Sequence, residues 1–185
     1  MRRGFKAEAE RQAQRIRSGM GLHPADPLDS VQLARYVGAE VRCADQLTTP
    51  AKLEALEEIQ PGAFSACTFT FGDRHVIVYS PLASPGRRQS DIAHEVAHLF
   101  LGHAVKEIQQ VGGLCFFTCD PDEEQEANWL AGCLLLPRQL LYAAARRGLE
   151  AADIAERYGV SQQMAAFRLR TTGVLRQIDA SRSAG

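Results

Sequence analysis

The chain has 185 residues, 45% of them apolar and 23% charged, with a formal net charge of −1. That is enough for one domain with a proper core, and the balance is that of a soluble globular protein. The near-zero charge gives no whole-chain bias toward nucleic acid or membrane, and no apolar run is long enough to span a bilayer.

The N-terminus begins Met1-Arg2-Arg3 and continues through Lys6, Glu8, Glu10 and Arg11 without an apolar stretch, so it does not read as a secretory signal. Residues 5 to 18 form an amphipathic helical pattern, with Phe5, Ala9, Ala13 and Ile16 on one side. Gly19, Gly21, Pro24 and Pro27 then break it. Asp29 or Ser30 caps a short helix through Val31, Leu33, Ala34 and Val37 that ends at Gly38. Ala39 to Cys43 reads as a strand, and residues 44 to 62 as a polar, partly helical connector. Phe64 to Phe71 and His75 to Tyr79 alternate like the strands of a hairpin turning near Gly72-Asp73. Pro81 to Gly86 is loop. A helix follows from about Ser90 to Leu101 and stops at Gly102. The next runs from Pro121 to Leu136, with Pro121 in its first turn and acids where the helix dipole favours them. Two or three shorter helices fill 138 to 176. Five cysteines (Cys43, Cys67, Cys115, Cys119 and Cys133) are an odd, scattered set, which suits free thiols in a reducing cytoplasm. Cys115 and Cys119 lie four apart in an apolar stretch and read as packing residues. Metal binding or redox pairing is the alternative, for which a lone Cys-x3-Cys is half a site.

Residues 94 to 98 carry the chemistry: His94-Glu95-Val96-Ala97-His98. Two histidines four apart on a helix are separated by about 400° of turn and ~6 Å of rise, so both can grip one divalent ion. Glu95 sits about 100° round, beside the metal, where a general base for a zinc-activated water belongs. Apolar residues surround the motif (Ile92, Ala93, Val96, Ala97, Leu99, Phe100 and Leu101), which marks a buried helix. Polar groups set deep in such a helix are costly without a purpose.

A catalytic zinc needs a third protein ligand. His103 lies about 500° round from His98 and faces away if the helix continues, and the metzincin spacing would need a histidine where Ala104 stands. His103 therefore reads as a helix-end residue, with a substrate-facing role as the alternative. The better candidate comes from the acidic run Asp120 to Asn128. Glu124 and Asn128 are four apart and share a helix face, providing a ligand and an amide that could orient it. Glu126 is about 200° round from Glu124 and cannot serve on that face. For stabilising an oxyanion, Tyr79, Tyr142 and His103 are candidates.

Two strings carry a family resemblance. Ser90-Asp91-Ile92-Ala93-His94-Glu95-Val96-Ala97-His98-Leu99-Phe100-Leu101-Gly102-His103 resembles the core of the ImmA/IrrE metallopeptidases. Glu124-Gln125-Glu126-Ala127-Asn128-Trp129-Leu130-Ala131-Gly132-Cys133-Leu134-Leu135-Leu136-Pro137 resembles that family's second signature, with departures only at the packing positions Trp129, Leu130 and Leu136. With the preceding elements the resemblance covers roughly residues 28 to 170. It implies Zn2+ held by His94, His98 and Glu124, with Glu95 as base and acid. It also implies a substrate: a DNA-binding, helix-turn-helix repressor protein, cut to switch on phage, mobile-element or stress genes. Strand His75 to Tyr79 would form the cleft edge on which substrate adds as an extra strand.

The tail gives a rival reading. Ala155, Gly159, Val160-Ser161 and Ala165 fit a helix-turn-helix, and residues 138 to 185 hold eight arginines against four acids. A DNA-binding or protein-binding regulator with a non-catalytic metal site is thus the alternative function. The expected architecture is α+β: an N-terminal helix and linker (1–27), a minimal zincin-like metallopeptidase core (28–137) and a C-terminal helical segment of the same domain (138–185).

Overall fold

The computed structural model describes residues 1–62, 64–103, 108–111, 114–117 and 120–183. It is an α+β protein of mostly helices. In chain order the elements are α1 (Phe5–Gly19), α2 (Ser30–Tyr36), β1 (Ala39–Cys43), α3 (Pro50–Ile59), β2 (Ala66–Phe71), β3 (Arg74–Tyr79), α4 (Pro85–Leu101), β4 (Ile108–Val111), β5 (Leu114–Phe117), α5 (Pro121–Leu135), α6 (Arg138–Arg146), α7 (Ala151–Tyr158), α8 (Gln162–Thr172) and α9 (Val174–Ser183). No described helix is long and apolar enough to cross a membrane.

The three-stranded sheet has the order β1-β3-β2, with β3 parallel to β1 and antiparallel to β2. Side chains alternate across it, as a pleated strand requires. On β3, Ile77 joins the main core, while Val76 and Val78 pack with Leu53 of α3 and Ala44 on the other face. α4 lies on the Ile77 face and contributes Ile92, Ala93, Val96 and Ala97 to the core. Beside it α5 contributes Ala127, Leu130, Ala131 and Leu134, all fully buried. Each large buried side chain of this kind contributes about 1.5–3 kcal/mol of hydrophobic stabilisation. The 4-4-3 spacing of Phe5, Ala9, Ala13 and Ile16 turns one face of α1 onto α5, so the N-terminal helix shares the main core.

The hairpin and the first two helices form as their local patterns predict. Asp29 caps α2 by accepting from the Gln32 amide at 2.8 Å. α4 differs: it starts at Pro85, five residues before the expected Ser90. Ser84 caps it and Pro85 occupies its first turn, a pairing suited to a helix start that makes the polar stretch Gly86 to Gln89 its opening turn. The β4-β5 hairpin was not anticipated, although Gly112-Gly113 between two short runs is a turn signal. The tail forms α6, α7 and α8 in the stretch expected to hold two or three helices, and α9 continues past it to Ser183. The reading of Cys115 and Cys119 falls on side chains outside those described. Cys43 and Cys133 are free thiols, and burial pushes Cys133 up to about 12, so it stays protonated and inert.

Helix α8 is bound into the body by a buried ion pair. Arg168 is fully buried; its guanidinium donates to the Leu136 carbonyl at 3.0 and 3.1 Å and to Glu10 of α1 at 2.7 Å. A buried charge is tolerable only when paired and hydrogen-bonded in this way. Gly132 of α5 makes room for that side chain: a Cβ there would stand 2.5 Å from Arg168 Cδ. At the other end of α8, Ser90 Oγ of α4 accepts from the Ser161 amide at 3.0 Å. Gly86 allows this approach, since its Cβ would sit 2.4 Å from the Val160 carbonyl oxygen. Gly86→Ala should therefore destabilise the protein by about 1–3 kcal/mol through overpacking against backbone. An unchanged urea midpoint would refute that close approach.

Candidate metal centre

Helix α4 carries His94 and His98, and α5 carries Glu124 across the seam between the two helices. The two Nε2 atoms lie 3.0 Å apart. Glu124 Oε2 is 3.2 Å from His94 Nε2, and Glu124 Oε1 is 3.4 Å from His98 Nε2. Ligands at ~2.0–2.1 Å from a tetrahedral zinc are separated from one another by roughly 3.3 Å, so this triangle has the size such an ion needs. Two imidazole nitrogens and one carboxylate oxygen also form a donor set that suits zinc. Among the described residues, His94, His98 and Glu124 are the group that could hold a metal ion. The residues present fit the ion.

Glu95 is 4% exposed. The Thr68 hydroxyl donates to its Oε2 at 2.7 Å, a short, charge-assisted bond that offsets the penalty of burying a carboxylate. β2 positions that hydroxyl, because Thr68 pairs with Ile77 in the sheet and so shares the face turned to α4. Sequence reasoning missed Thr68. Its signal was the alternation along β2, but only the strand's register against β3 and the packing of α4 bring it to Glu95.

Above the triangle opens a cleft of about 840 Å³. His94, Glu95 and Glu124 line it, as does Asn128, which is exposed one turn beyond Glu124. Ser65 and Ala66, at the start of β2, border it too. The strand expected at the cleft edge, His75 to Tyr79, is instead the central strand, and β2 has the outer position beside it. From the tail, α8 presents Gln163, Phe167 and Arg170 to the cleft. Tyr79, Tyr142 and His103, the candidate oxyanion donors, are not among the residues lining it; Lys6, Arg87 and Arg170 are the cationic ones that do.

His103 does not face away from the pair. The helix ends at Leu101, and Gly102 turns the chain at φ 65°. The Gly102 amide donates to the Leu99 carbonyl and the His103 amide to the His98 carbonyl, at 3.2 and 3.1 Å. This is a Schellman closure, which folds the residue after the glycine back over the last turn. His103 Nδ1 thus lies 2.9 Å from His98 Nδ1, on the side of that ring opposite Glu124. Glu126 occupies the other face of α5, as its angular position predicts. Arg2 holds it, the backbone amide donating at 2.8 Å and Nε at 3.2 Å. Burial raises the Glu126 carboxyl pKa, but the Arg2 hydrogen bonds together outweigh it and leave it below the ordinary value.

The M78 peptidase family, described as the IrrE N-terminal-like domain, matches residues 56–170, more than half of the chain. The chain belongs to this family. No individual curated protein matches it. The M78 match covers the hairpin, α4, α5 and the tail as far as α8, and therefore every residue of the triangle and Glu95.

Thr68→Val should lower kcat by about tenfold or more with KM little changed. The hydrogen bond lost is of the charged class, worth about 1.5–3 kcal/mol. Thr68→Ser should retain most of the rate; equal turnover in Thr68→Val and wild type would remove Thr68 from the site.

Proposed function

We propose that the chain is a zinc-dependent endopeptidase of zincin type, with His94, His98 and Glu124 as the metal ligands and Glu95 as general base and acid. The observation that carries this reading is the convergence of three donor atoms beside a buried, hydrogen-bonded carboxylate at an open cleft. A zinc ion held there supplies Lewis acidity, polarising a carbonyl and lowering the pKa of water to about 7. The residues do the rest. The Glu95 carboxylate takes a proton from the attacking water and delivers it to the amine nitrogen as the peptide C–N bond breaks. Thr68 holds that carboxylate in place during both transfers. β2 has an outer position in the sheet and borders the cleft at Ser65 and Ala66, so an extended substrate can pair with its main chain. To Asn128, one turn beyond Glu124 on the cleft, we assign the orienting of that carboxylate.

The substrate we assign is a helix-turn-helix repressor protein in the cytoplasm, which makes the enzyme a regulator of transcription. That assignment follows from the family likeness. The cleft is compatible with it, being open and of a size to admit a polypeptide segment. The tail supports the peptidase reading over DNA binding. Arg168, which a DNA-reading α8 would need on its surface, is internal, and the exposed side of α8 at Gln163 and Arg170 borders the cleft. α8 is thus a wall for substrate.

The decisive experiment incubates the protein with zinc and the repressor encoded beside its gene. Specific cleavage is expected, abolished by a chelator and restored by zinc. Glu95→Gln should keep zinc and lose roughly 10²–10⁴-fold in rate; undiminished turnover in that variant sinks the mechanism. Glu124→Ala should lose zinc on dilution, and unchanged metal content measured by mass spectrometry would move the third ligand elsewhere.

A further inference from the structure

The metal-centre reading leaves one end of His98 unused. Its Nε2 faces His94 and Glu124. Its Nδ1 faces His103 Nδ1 at 2.9 Å, the two rings meeting edge to face with centroids 5.0 Å apart. Two imidazole nitrogens at that distance share one hydrogen, so one ring donates and the other accepts. If His98 is to offer a lone pair at Nε2, its proton must be on Nδ1, and His103 must accept there. The hydrogen of a neutral His103 then sits on Nε2, 3.8 Å from Glu126 Oε2, too far for a hydrogen bond but close enough for the carboxylate to favour that hydrogen electrostatically. Glu126 is held in turn by Arg2 through its backbone amide and its guanidinium. His103 and Glu126 side chains are each 7% exposed, so water is largely excluded from the contact between these two, while Arg2 lies at the surface. With the hydrogens so placed, His98 donates to His103 and the His98 Nε2 lone pair faces the triangle.

The geometry is not an accident of a flexible loop. A Schellman closure stacks the residue after its glycine on the residue five positions earlier, a contact usually made by apolar side chains. Here those two positions are His103 and His98. Gly102 makes the closure possible, because its φ of 65° is one that other residues rarely adopt.

We propose that His103 is a positioning residue for His98, accepting its Nδ1–H and so fixing the tautomer and ring orientation in which Nε2 faces Glu124 and His94, with Glu126 and Arg2 bracing His103 from behind. The proposal rests on the metal-centre reading above. Partners that receive the outer N–H of a ligating histidine typically change metal affinity by roughly 10–100-fold when removed.

The test measures zinc affinity of the full chain by competition with a chromophoric chelator, with no substrate present. Circular dichroism checks that each variant is folded. His103→Leu fills the space without accepting a hydrogen bond, and should weaken zinc binding roughly 10–100-fold. His103→Asn places an amide oxygen near the Nδ1 position and should recover most of the affinity. Glu126→Gln, which keeps an acceptor but removes the charge, should give a smaller loss than His103→Leu. Wild-type affinity in His103→Leu would overturn the proposal, as would a loss in His103→Asn as large as in His103→Leu. A wild-type protein that binds no zinc, or binds it equally well as His94→Ala, would instead overturn the metal-centre reading on which the proposal stands.

Discussion

The seam between α4 and α5 is the constraint from which the rest of the site follows. His94 and His98 are fixed relative to each other by one turn of helix, but Glu124 reaches them only because α5 lies close against α4. That closeness is a packing result. Small buried residues line both helices, Ala93 and Ala97 on α4, Ala127 and Ala131 on α5. Dense interiors have low compressibility, so a seam built this way resists changes in the spacing of its donor atoms. Around the polar triangle the helices are apolar, which keeps water to the cleft side and strengthens the electrostatic interactions inside.

Glu95, Glu126 and Arg168, buried near this seam, each have a partner. Glu95 receives the Thr68 hydroxyl, Glu126 receives Arg2, and Arg168 donates to Glu10 and the Leu136 carbonyl. The partners come from β2, from the segment before α1, and from α1 itself. The consequence is that pieces remote in sequence become parts of one centre. The N-terminal helix covers α5 and carries the acid that neutralises α8. The tail, whose arginines on paper suit a nucleic-acid face, gives one of them to the interior and turns the exposed side of α8 to the cleft. A basic composition counted along a chain says nothing about which charges are spent on folding.

Much of this architecture was legible locally. Apolar spacing marked α1, α4 and α5, period-two alternation marked the hairpin, and caps and glycines marked most ends. The misses have separate causes. Apolar periodicity does not reach the opening turn of α4, which is polar, whereas Ser84-Pro85 marks its start. His103 was set aside by extrapolating a helix through a glycine that terminates it. The outer strand of the sheet was assigned to β3 because strand order cannot be read from chain order: β1 joins β3 in parallel from a distance and takes the side that β3 would otherwise expose.

Two ligand-type histidines and an adjacent carboxylate on one helix are properties of residues 94 to 98 alone, because helical geometry relates side chains four apart without help from the rest of the molecule. The sequence by itself therefore determined that two ligand-type histidines share one helix face with an acid beside them, the pattern on which the proposed chemistry rests. Angular position could put Glu124 and Asn128 on one face of α5 and Glu126 on another, and the family resemblance pointed to Glu124 as a third donor, but neither could bring it near. Convergence of that carboxylate, the Thr68 hydroxyl on Glu95, the His103–Glu126–Arg2 support behind His98 and the α8 wall were decided by tertiary structure. Each joins groups whose separation depends on how helices and strands pack, and packing distances are set by the whole core at once.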